Sequence, residues 1–136
     1  MRRIIKFRGK SLKGGGWLIG SHFTDGAEEY IIPQTLLDIH DYEDYQVDPD
    51  TVGQYTGLKD RNGREIYEGD ILRFFCFDGE ERRVKVIWDN DSFSFEIVLP
   101  DGTLIAVMEE LRRTFEVIGN IHDNPEIIRK EEEVWS

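Results

Sequence analysis

Apolar and polar residues alternate over short stretches along most of this 136-residue chain, and turn-forming residues separate the stretches at intervals of about 8 to 12 residues. The alternation is clearest in ERRVKVIWD, residues 81–89, where Val84, Val86 and Trp88 fall on one face of an extended strand. Short strands between closely spaced turns are typical of antiparallel sandwiches and barrels. The pattern therefore predicts a mainly β protein with a small antiparallel meander or barrel.

Individual elements are predicted from the same alternation. The segments expected to form strands are 29–32, 52–56, 71–77, 81–89, 92–99, 103–108 and 114–118. Trp88, Phe93 and Phe95 fit core positions at a period of two, while Ser92 and Ser94 fit the outward face of their strand. Two helical turns are also expected: one over residues 109–113, and one after residue 124, with Asn124 as N-cap and Pro125 in the first turn.

The chain divides into three parts on this pattern. Residues 1–45 combine an N-terminal β-hairpin, which turns at Gly14-Gly15-Gly16, with an irregular acidic segment that has no clear period. Residues 46–123 form the barrel-like core, and residues 124–136 form a C-terminal tail. The glycine triplet also suits a phosphate-binding loop, but such a loop precedes a helix, and the residues after it have the pattern of a strand.

The most sharply patterned segment is GQYTGLKDRNGREIYEGDILRF, residues 53–74. Its glycines and charges suit a binding loop for phosphate or nucleic acid, and they also suit a hairpin. Asn62-Gly63 can adopt the positive φ angles of a tight hairpin turn, and the glycines are spaced by turns rather than clustered before a helix. We therefore interpret the segment as strand, turn, short strand, turn and strand.

Charge is distributed unevenly along the chain. Residues 2–13 hold six basic side chains and no acid, whereas residues 25–50 hold nine acids and no base. The two blocks can pair within one molecule, pair between subunits, or remain solvated, and exposed ion pairs contribute only about 0 to 1 kcal/mol each. Their segregation makes a head-to-tail homo-oligomer one expectation.

No motif in the sequence indicates a catalytic, cofactor or metal site. His22, His40 and His122 are scattered, and their spacing is not typical of a metal site. The acidic stretch LLDIHDYEDYQ lacks the glycine and the glutamate that an EF-hand needs at its sixth and twelfth positions. The serines lie in no nucleophile elbow. We expect a protein that is not an enzyme and that needs no cofactor.

Nucleic-acid binding stays open as an alternative function, because aromatic residues interleaved with basic ones can stack single-stranded bases. The net charge of −11 argues against nucleic-acid binding, because it repels phosphate groups. The aromatic residues recur at the period expected for side chains buried in a core. The candidate contacts to nucleic acid or to a protein partner are eight basic residues: Arg2, Arg3, Lys6, Arg8, Arg82, Arg83, Arg112 and Arg113.

The cellular compartment is inferred from the cysteine content and the N-terminus. The single cysteine, Cys76, lies in the apolar run FFCF and is expected to be a buried thiol in a reducing compartment. Lys6 and Arg8 interrupt the apolar residues near the N-terminus, so neither a signal peptide nor a membrane span is predicted. We expect a cytoplasmic protein with no membrane partner.

Four motifs, IKFRGK, GGGWLIGS, VDPDTVGQYTGLKDRNGREIYEGDIL and FEVIGNIHDNPEII, follow one another along nearly the whole chain. Their order resembles the YopX family of phage and prophage proteins. The resemblance implies a small, mostly β protein that is encoded by a phage or prophage and acts in the bacterial cytoplasm, and it brings no reaction or site residue. The leading hypothesis is an accessory interaction module for an unknown phage or host protein, or for a second copy of itself.

Overall fold

The computed structural model describes residues 4–34, 42–75, 79–99, 101–106 and 113–129, and the strands within these ranges form two antiparallel sheets. The strands are β1 (Phe7–Lys10), β2 (Trp17–Asp25), β3 (Glu28–Ile32), β4 (Gln46–Val47), β5 (Gly53–Lys59), β6 (Glu65–Tyr67), β7 (Asp70–Phe75), β8 (Glu81–Asp89), β9 (Ser94–Val98), β10 (Leu104–Ala106) and β11 (Phe115–Asn120). Short 3-10 helices cover Tyr42–Tyr45 and Pro49–Thr51. The chain separates into two compact units, Met1–Tyr55 and Thr56–Ser136.

The first unit is built on a hairpin of β1 and β2, which confirms the predicted hairpin around the glycine triplet. In this unit β3 pairs with β2, β4 pairs with β3, and the start of β5 pairs with the other edge of β1. The predicted strand 29–32 is present as β3, one residue longer than expected. The buried apolar side chains of the unit are Tyr30, Ile31, Ile32, Val47 and Tyr55.

The second unit holds a five-stranded sheet in the order β10-β9-β8-β7-β11. Core side chains occupy alternate positions along β8 and β11, where Val84 and Val86, and Phe115 and Val117, are buried. The core consists of Ile66, Leu72, Phe74, Val84, Val86, Ile97, Phe115 and Val117, with Leu99 and Ile105 packed against it. The rings of Phe74 and Phe115 lie with centroids 5.5 Å apart. Val84 and Val86 therefore take the buried positions that the alternation predicts.

The meander prediction is confirmed and the barrel prediction is not. Strands β7 to β10 follow one another as a meander, and β11 joins beside β7 rather than beside β10. Within the described residues the five-stranded sheet is therefore open, with β10 and β11 at its edges. Closure needs the two edge strands to pair, and no pairing of β10 with β11 is present among the described residues.

The predicted strand over residues 92–99 is wrong at its start. β9 begins at Ser94, and Phe93 lies in the preceding turn, 77% exposed and with a φ of 54°. The Asp89 carboxylate accepts hydrogen bonds from the Asp91 amide and the Ser92 hydroxyl, which extends the turn through Phe93. Trp88 and Phe95 do pack together, with ring centroids 4.9 Å apart in an edge-to-face arrangement.

The C-terminal helix is confirmed over residues 125–129. Asn124 takes the predicted N-cap position, since its main-chain carbonyl accepts from the Ile127 amide at 3.2 Å, whereas its side-chain oxygen accepts from the Asn120 amide at 3.3 Å. The predicted turn over 109–113 falls almost wholly outside the described residues. Cys76 and the ends of the predicted strands 71–77 and 103–108 also lie outside them.

Candidate interaction surface

The basic residues of the first hairpin lie on one face of its sheet. Lys6, Arg8 and Lys10 occupy alternate positions, and alternate residues of a strand point to the same side. Arg8 is opposite Ile19 and Lys10 is opposite Trp17 in the pairing of β1 with β2. We call these five residues the β1 basic face.

Cation–π contacts hold the side chains of this face in place. The Arg8 guanidinium lies 4.8 Å from the centre of the Trp17 ring, and the Lys10 ammonium lies 6.0 Å from it. The Lys6 ammonium lies 5.1 Å from the centre of the Tyr55 ring. Each such contact contributes about 0.5 to 1 kcal/mol at an exposed site. The three cations are therefore positioned along β1 before any partner binds.

Exposed apolar side chains are concentrated in the same part of the chain. Among the described residues, the large apolar side chains with high exposure are Ile4, Ile5, Leu12, Ile19, Phe93 and Leu104. Four of these six lie between residues 4 and 19, and their exposed fractions run from 46% to 59%. Apolar exposure that is interspersed with Arg and Trp is typical of protein interfaces.

Among the described residues, the basic and acidic blocks meet within this unit at an exposed ion pair. The Lys13 ammonium contacts the Asp44 carboxylate, beside a cleft of about 340 Å³. The cleft is lined by Leu12, Lys13, Glu43, Asp44 and Gln46. Of the three arrangements left open for the two blocks, pairing within one molecule is thus present at this point.

Three aromatic rings fasten the 3-10 helix Tyr42–Tyr45 to the β2–β3 hairpin. Phe23 stacks on Tyr30 with centroids 4.9 Å apart, and Tyr42 meets both rings edge-on at 5.5 and 5.1 Å. The Tyr30 hydroxyl donates to Glu28 at 2.7 Å, and the Tyr42 hydroxyl donates to Asp25 at 3.0 Å. The cluster could not be predicted from the sequence, because Tyr42 lies in the acidic segment that has no clear period.

These hydrogen bonds predict that two tyrosines ionise at a higher pH than an ordinary tyrosine. The bond to Glu28, followed by burial, raises the pKa of Tyr30 from 10.0 to about 12, and the bond to Asp25 raises the pKa of Tyr42. Because the folded state favours the neutral phenol, its stabilising effect is complete below pH 10 and is lost as the pH rises towards 12. Phenolate absorbance should therefore rise in more than one step across the five tyrosines of the chain.

Glu28→Gln should lower the pKa of Tyr30 and move its absorbance step to lower pH. Glu80→Gln, which removes an exposed acid in the second unit, should leave the titration unchanged. A single step near the ordinary tyrosine pKa in the wild type would contradict the arrangement.

A second polar contact joins β2 and β3 on the opposite face of the hairpin. The His22 imidazole contacts the Glu29 carboxylate, which also accepts from the Thr24 hydroxyl at 2.8 Å. The hydrogen bonds from His22 and Thr24 lower the pKa of Glu29. A carboxyl with a lowered pKa stabilises the fold above its ordinary pKa, and this effect is lost as the pH falls.

No group of three or more His, Cys, Asp or Glu side chains is placed to hold a metal ion within the described ranges. Over the same residues, no helix has the length and apolar character to cross a membrane.

Comparison with known proteins identifies the family. A family model described as YopX protein matches residues 6–129. The chain belongs to the YopX family. Its fold is similar to that in the crystal structure of protein EF1440 from Enterococcus faecalis, with a TM-score of 0.56 and 22% identity over 93% of this chain and 99% of that one. At this identity the likeness shows the fold alone. A search of curated proteins gives no match.

The basic residues proposed as partner contacts lie in different parts of this YopX family chain. Lys6 and Arg8 lie together on the β1 basic face. Arg82 and Arg83 are neighbours on β8 and point to opposite sides of its sheet, so they form no common patch. The Arg82 guanidinium also donates to Glu80 at 2.9 Å. Arg113 is exposed, whereas Arg2, Arg3 and Arg112 lie outside the described residues.

The segment that best marks the YopX resemblance contains a buried acid that sequence analysis missed. Asp60 is 1% exposed, and its carboxylate accepts from the amides of Asn62 at 2.8 Å, Arg64 at 2.9 Å and Val117 at 2.8 Å. An Asp two residues before Asn62 was the available signal, because Asp commonly accepts from nearby amides in a turn. The bond to Val117 on β11 had no local signal.

The same contacts distinguish between a phosphate-binding loop and a hairpin in this YopX segment. Such a loop directs free backbone amides at the ligand. Here two amides of the turn donate to Asp60, and the Arg61 amide donates to the Phe115 carbonyl at 3.1 Å. The turn amides therefore hold the second unit together, and the hairpin interpretation is confirmed.

Proposed function

We propose that this YopX family protein is a non-enzymatic interaction module that binds a protein partner through the β1 basic face. It is encoded by a phage or prophage and works in the cytoplasm of the bacterial host. The observation that carries the proposal is the joint placement of Arg8, Lys10, Trp17 and the exposed Ile19 on one side of a hairpin.

The chemistry of this face defines the partner that fits it. Tryptophan and arginine are the residue types most enriched among the side chains that dominate binding energy. Ile19 supplies an apolar centre beside them, and the lysines supply a charged rim. A complementary surface carries an apolar patch bordered by Asp or Glu. The acidic segment of a second copy has the required charge, so self-association is one form of the proposal.

Reversing one charge on this face should abolish partner binding. The wild type should capture a partner protein from host cells, and we expect Arg8→Glu to lose this binding. The new carboxylate would repel the acidic side chains of the partner. The matched control is Lys59→Glu, the same charge change at an exposed strand position. Equal capture by wild type and Arg8→Glu would contradict the proposal.

Light scattering at low and high salt tests the self-association form of the proposal, and a monomer at both salt concentrations would rule that form out.

Single-stranded nucleic acid is the second candidate, and the spacing of the cations favours it. Residues two apart on a strand are about 6.6 to 6.8 Å apart, comparable with neighbouring phosphates on an extended single strand. Lys6, Arg8 and Lys10 repeat at this interval, with Arg8 and Lys10 beside the Trp17 ring and Lys6 beside the Tyr55 ring.

Labelled oligonucleotides should then bind at about 50 mM salt, weaken as salt rises, and lose affinity with Arg8→Glu. An absence of binding at micromolar protein would remove this candidate.

A further inference from the structure

The connection between β8 and β9 presents a phenylalanine to solvent. Phe93 has the highest exposed fraction, 77%, among the large apolar side chains of the described residues. Its φ of 54° lies in the left-handed region, and in the same ranges every other residue with a positive φ is a glycine. This conformation is rare for a bulky side chain, and strained residues of this kind cluster at functional sites. Since aromatic rings are also enriched at protein interfaces, Phe93 is a candidate anchor for a partner.

Hydrogen bonds fix the backbone around this ring. We call residues 88–94 the β8–β9 tip. The Asp89 carboxylate accepts from the Asp91 amide at 2.9 Å, and the Trp88 indole nitrogen donates to the Asn90 side chain at 2.8 Å. A surface that is already ordered before association loses less conformational freedom when it binds. The tip therefore presents Phe93 in a preformed arrangement.

The charge of the β8–β9 tip narrows the class of partner. Its sequence, WDNDSFS, contains two acids and no base. Asp91 is exposed, and Asp89 is half-buried. Acidic side chains repel the phosphates of nucleic acid and of anionic lipid headgroups. The tip is suited instead to a protein surface that combines an apolar patch with basic side chains.

The β1 basic face of this same chain has that composition. Ile19 is 46% exposed and is paired with Arg8 across β1 and β2. The Trp17 ring lies beside it on the same face, with the Arg8 guanidinium 4.8 Å and the Lys10 ammonium 6.0 Å from the ring centre. The face is basic with an apolar centre, and the tip is acidic with an apolar centre. Such complementarity steers two surfaces together and fixes their register.

We propose that the β8–β9 tip of one copy docks on the β1 basic face of a second copy, with Phe93 packed against Ile19 and Trp17. Asp91 then faces Arg8. The inference rests on the function proposed for the β1 basic face and names its partner. Because the two surfaces come from different parts of the chain, the contact is head-to-tail, and such contacts generate rings or open chains rather than two-fold dimers.

Sedimentation of the full chain at concentrations up to about 1 mM, the Kd of a weak complex, tests the contact. The average mass of the wild type should rise with concentration. Phe93→Ala and Asp91→Arg should each weaken association by at least about tenfold, as expected for an interface anchor. Asp91→Arg keeps the backbone amide that donates to Asp89. Circular dichroism checks that each variant folds.

Two control variants match these substitutions within the second unit. Leu104→Ala truncates another exposed apolar side chain, which is 47% exposed in the wild type. Glu126→Arg makes the same charge change at an exposed helical position. Both should associate as the wild type does. Equal weakening by Phe93→Ala and Leu104→Ala would overturn the assignment of the contact to the tip.

Mixing two defective variants tests the head-to-tail geometry. Arg8→Glu keeps an intact tip, and Phe93→Ala keeps an intact β1 basic face. The mixture should therefore form a one-to-one dimer with the affinity of the wild-type contact, although each variant alone associates at least about tenfold more weakly. A contact that uses the same surface on both copies would stay broken in the mixture, and that result would overturn the inference.

Two further results would overturn the inference without touching the function proposed for the β1 basic face. One is a wild-type monomer up to about 1 mM. The other is self-association that Arg8→Glu removes but that Phe93→Ala and Asp91→Arg leave unchanged, because the acidic segment would then supply the contact. In the first case, capture of a different protein that depends on Arg8 would preserve the proposed function, whereas loss of that capture as well would remove both proposals.

Discussion

Replacing Asp60 by alanine should destabilise the second unit by about 3 to 5 kcal/mol, because the buried Val117 amide left without its partner costs about 1 to 3 kcal/mol and two part-buried hydrogen bonds to the carboxylate are lost as well. The carboxylate holds the Asn62 and Arg64 amides of its own turn and the Val117 amide of β11. Its removal therefore loosens the turn and also its attachment to a strand 57 residues away. Urea unfolding gives the free energy, and hydrogen exchange of the Val117 amide reports the loss locally.

Two variants separate the carboxylate's role from that of an ordinary turn. Asp60→Asn keeps one acceptor oxygen and should lose less stability than the alanine variant. Asp101→Ala removes an exposed Asp that accepts from the Thr103 amide at 2.9 Å in a comparable turn, and its effect should be much smaller. Similar losses in the free energy of unfolding for Asp60→Ala and Asp101→Ala would mean that neither the burial of Asp60 nor its bond to Val117 stabilises the fold.

Gly20→Ala should disrupt the first unit, with a cost of about 3 kcal/mol or more, at the upper end of core overpacking. Gly20 lies in β2, and a Cβ atom there would sit 1.9 Å from the Ile32 carbonyl oxygen and 2.9 Å from the Pro33 Cα. Both neighbours are backbone atoms, so no side-chain rotation relieves the overlap. The pairing of β2 with β3 must therefore shift. Amide exchange of β3 residues measures the effect.

Gly16→Ala is the control for this substitution. Gly16 lies in the β1–β2 turn, and a Cβ atom there meets nothing within 4 Å. Alanine at this position should be tolerated, since it also restricts the unfolded chain. Wild-type exchange rates in Gly20→Ala would contradict the close approach of β2 and β3.

Much of the fold followed from local pattern. The alternation in residues 81–89 placed Val84 and Val86 in the core, and Asn62-Gly63 marked a hairpin tip. The placement of Phe93 could not be predicted in the same way, because a period of two continues through a turn as readily as through a strand. The Asp89 hydrogen bonds that extend this turn involve side-chain geometry rather than periodicity.

The candidate sites were predicted less well than the fold. Alternation along IKFRGK was enough to place Lys6 and Arg8 on one face, but their contacts with Tyr55 and Trp17 required the pairing of β1 with two other strands. Arg82 and Arg83 appeared to be one basic pair because they are adjacent, and strand geometry separates them.

The sequence by itself determined that the chain is mainly β, where its hairpins turn, and which residues of β8 face the core. These features depend on interactions between residues close together in the chain, and such interactions produce a periodic pattern of apolar and polar residues. The tertiary structure decided that the second sheet is open within the described residues and that Asp60 ties a turn to β11. Such features depend on contacts between distant residues and on burial, which the spacing of residues along the chain does not encode.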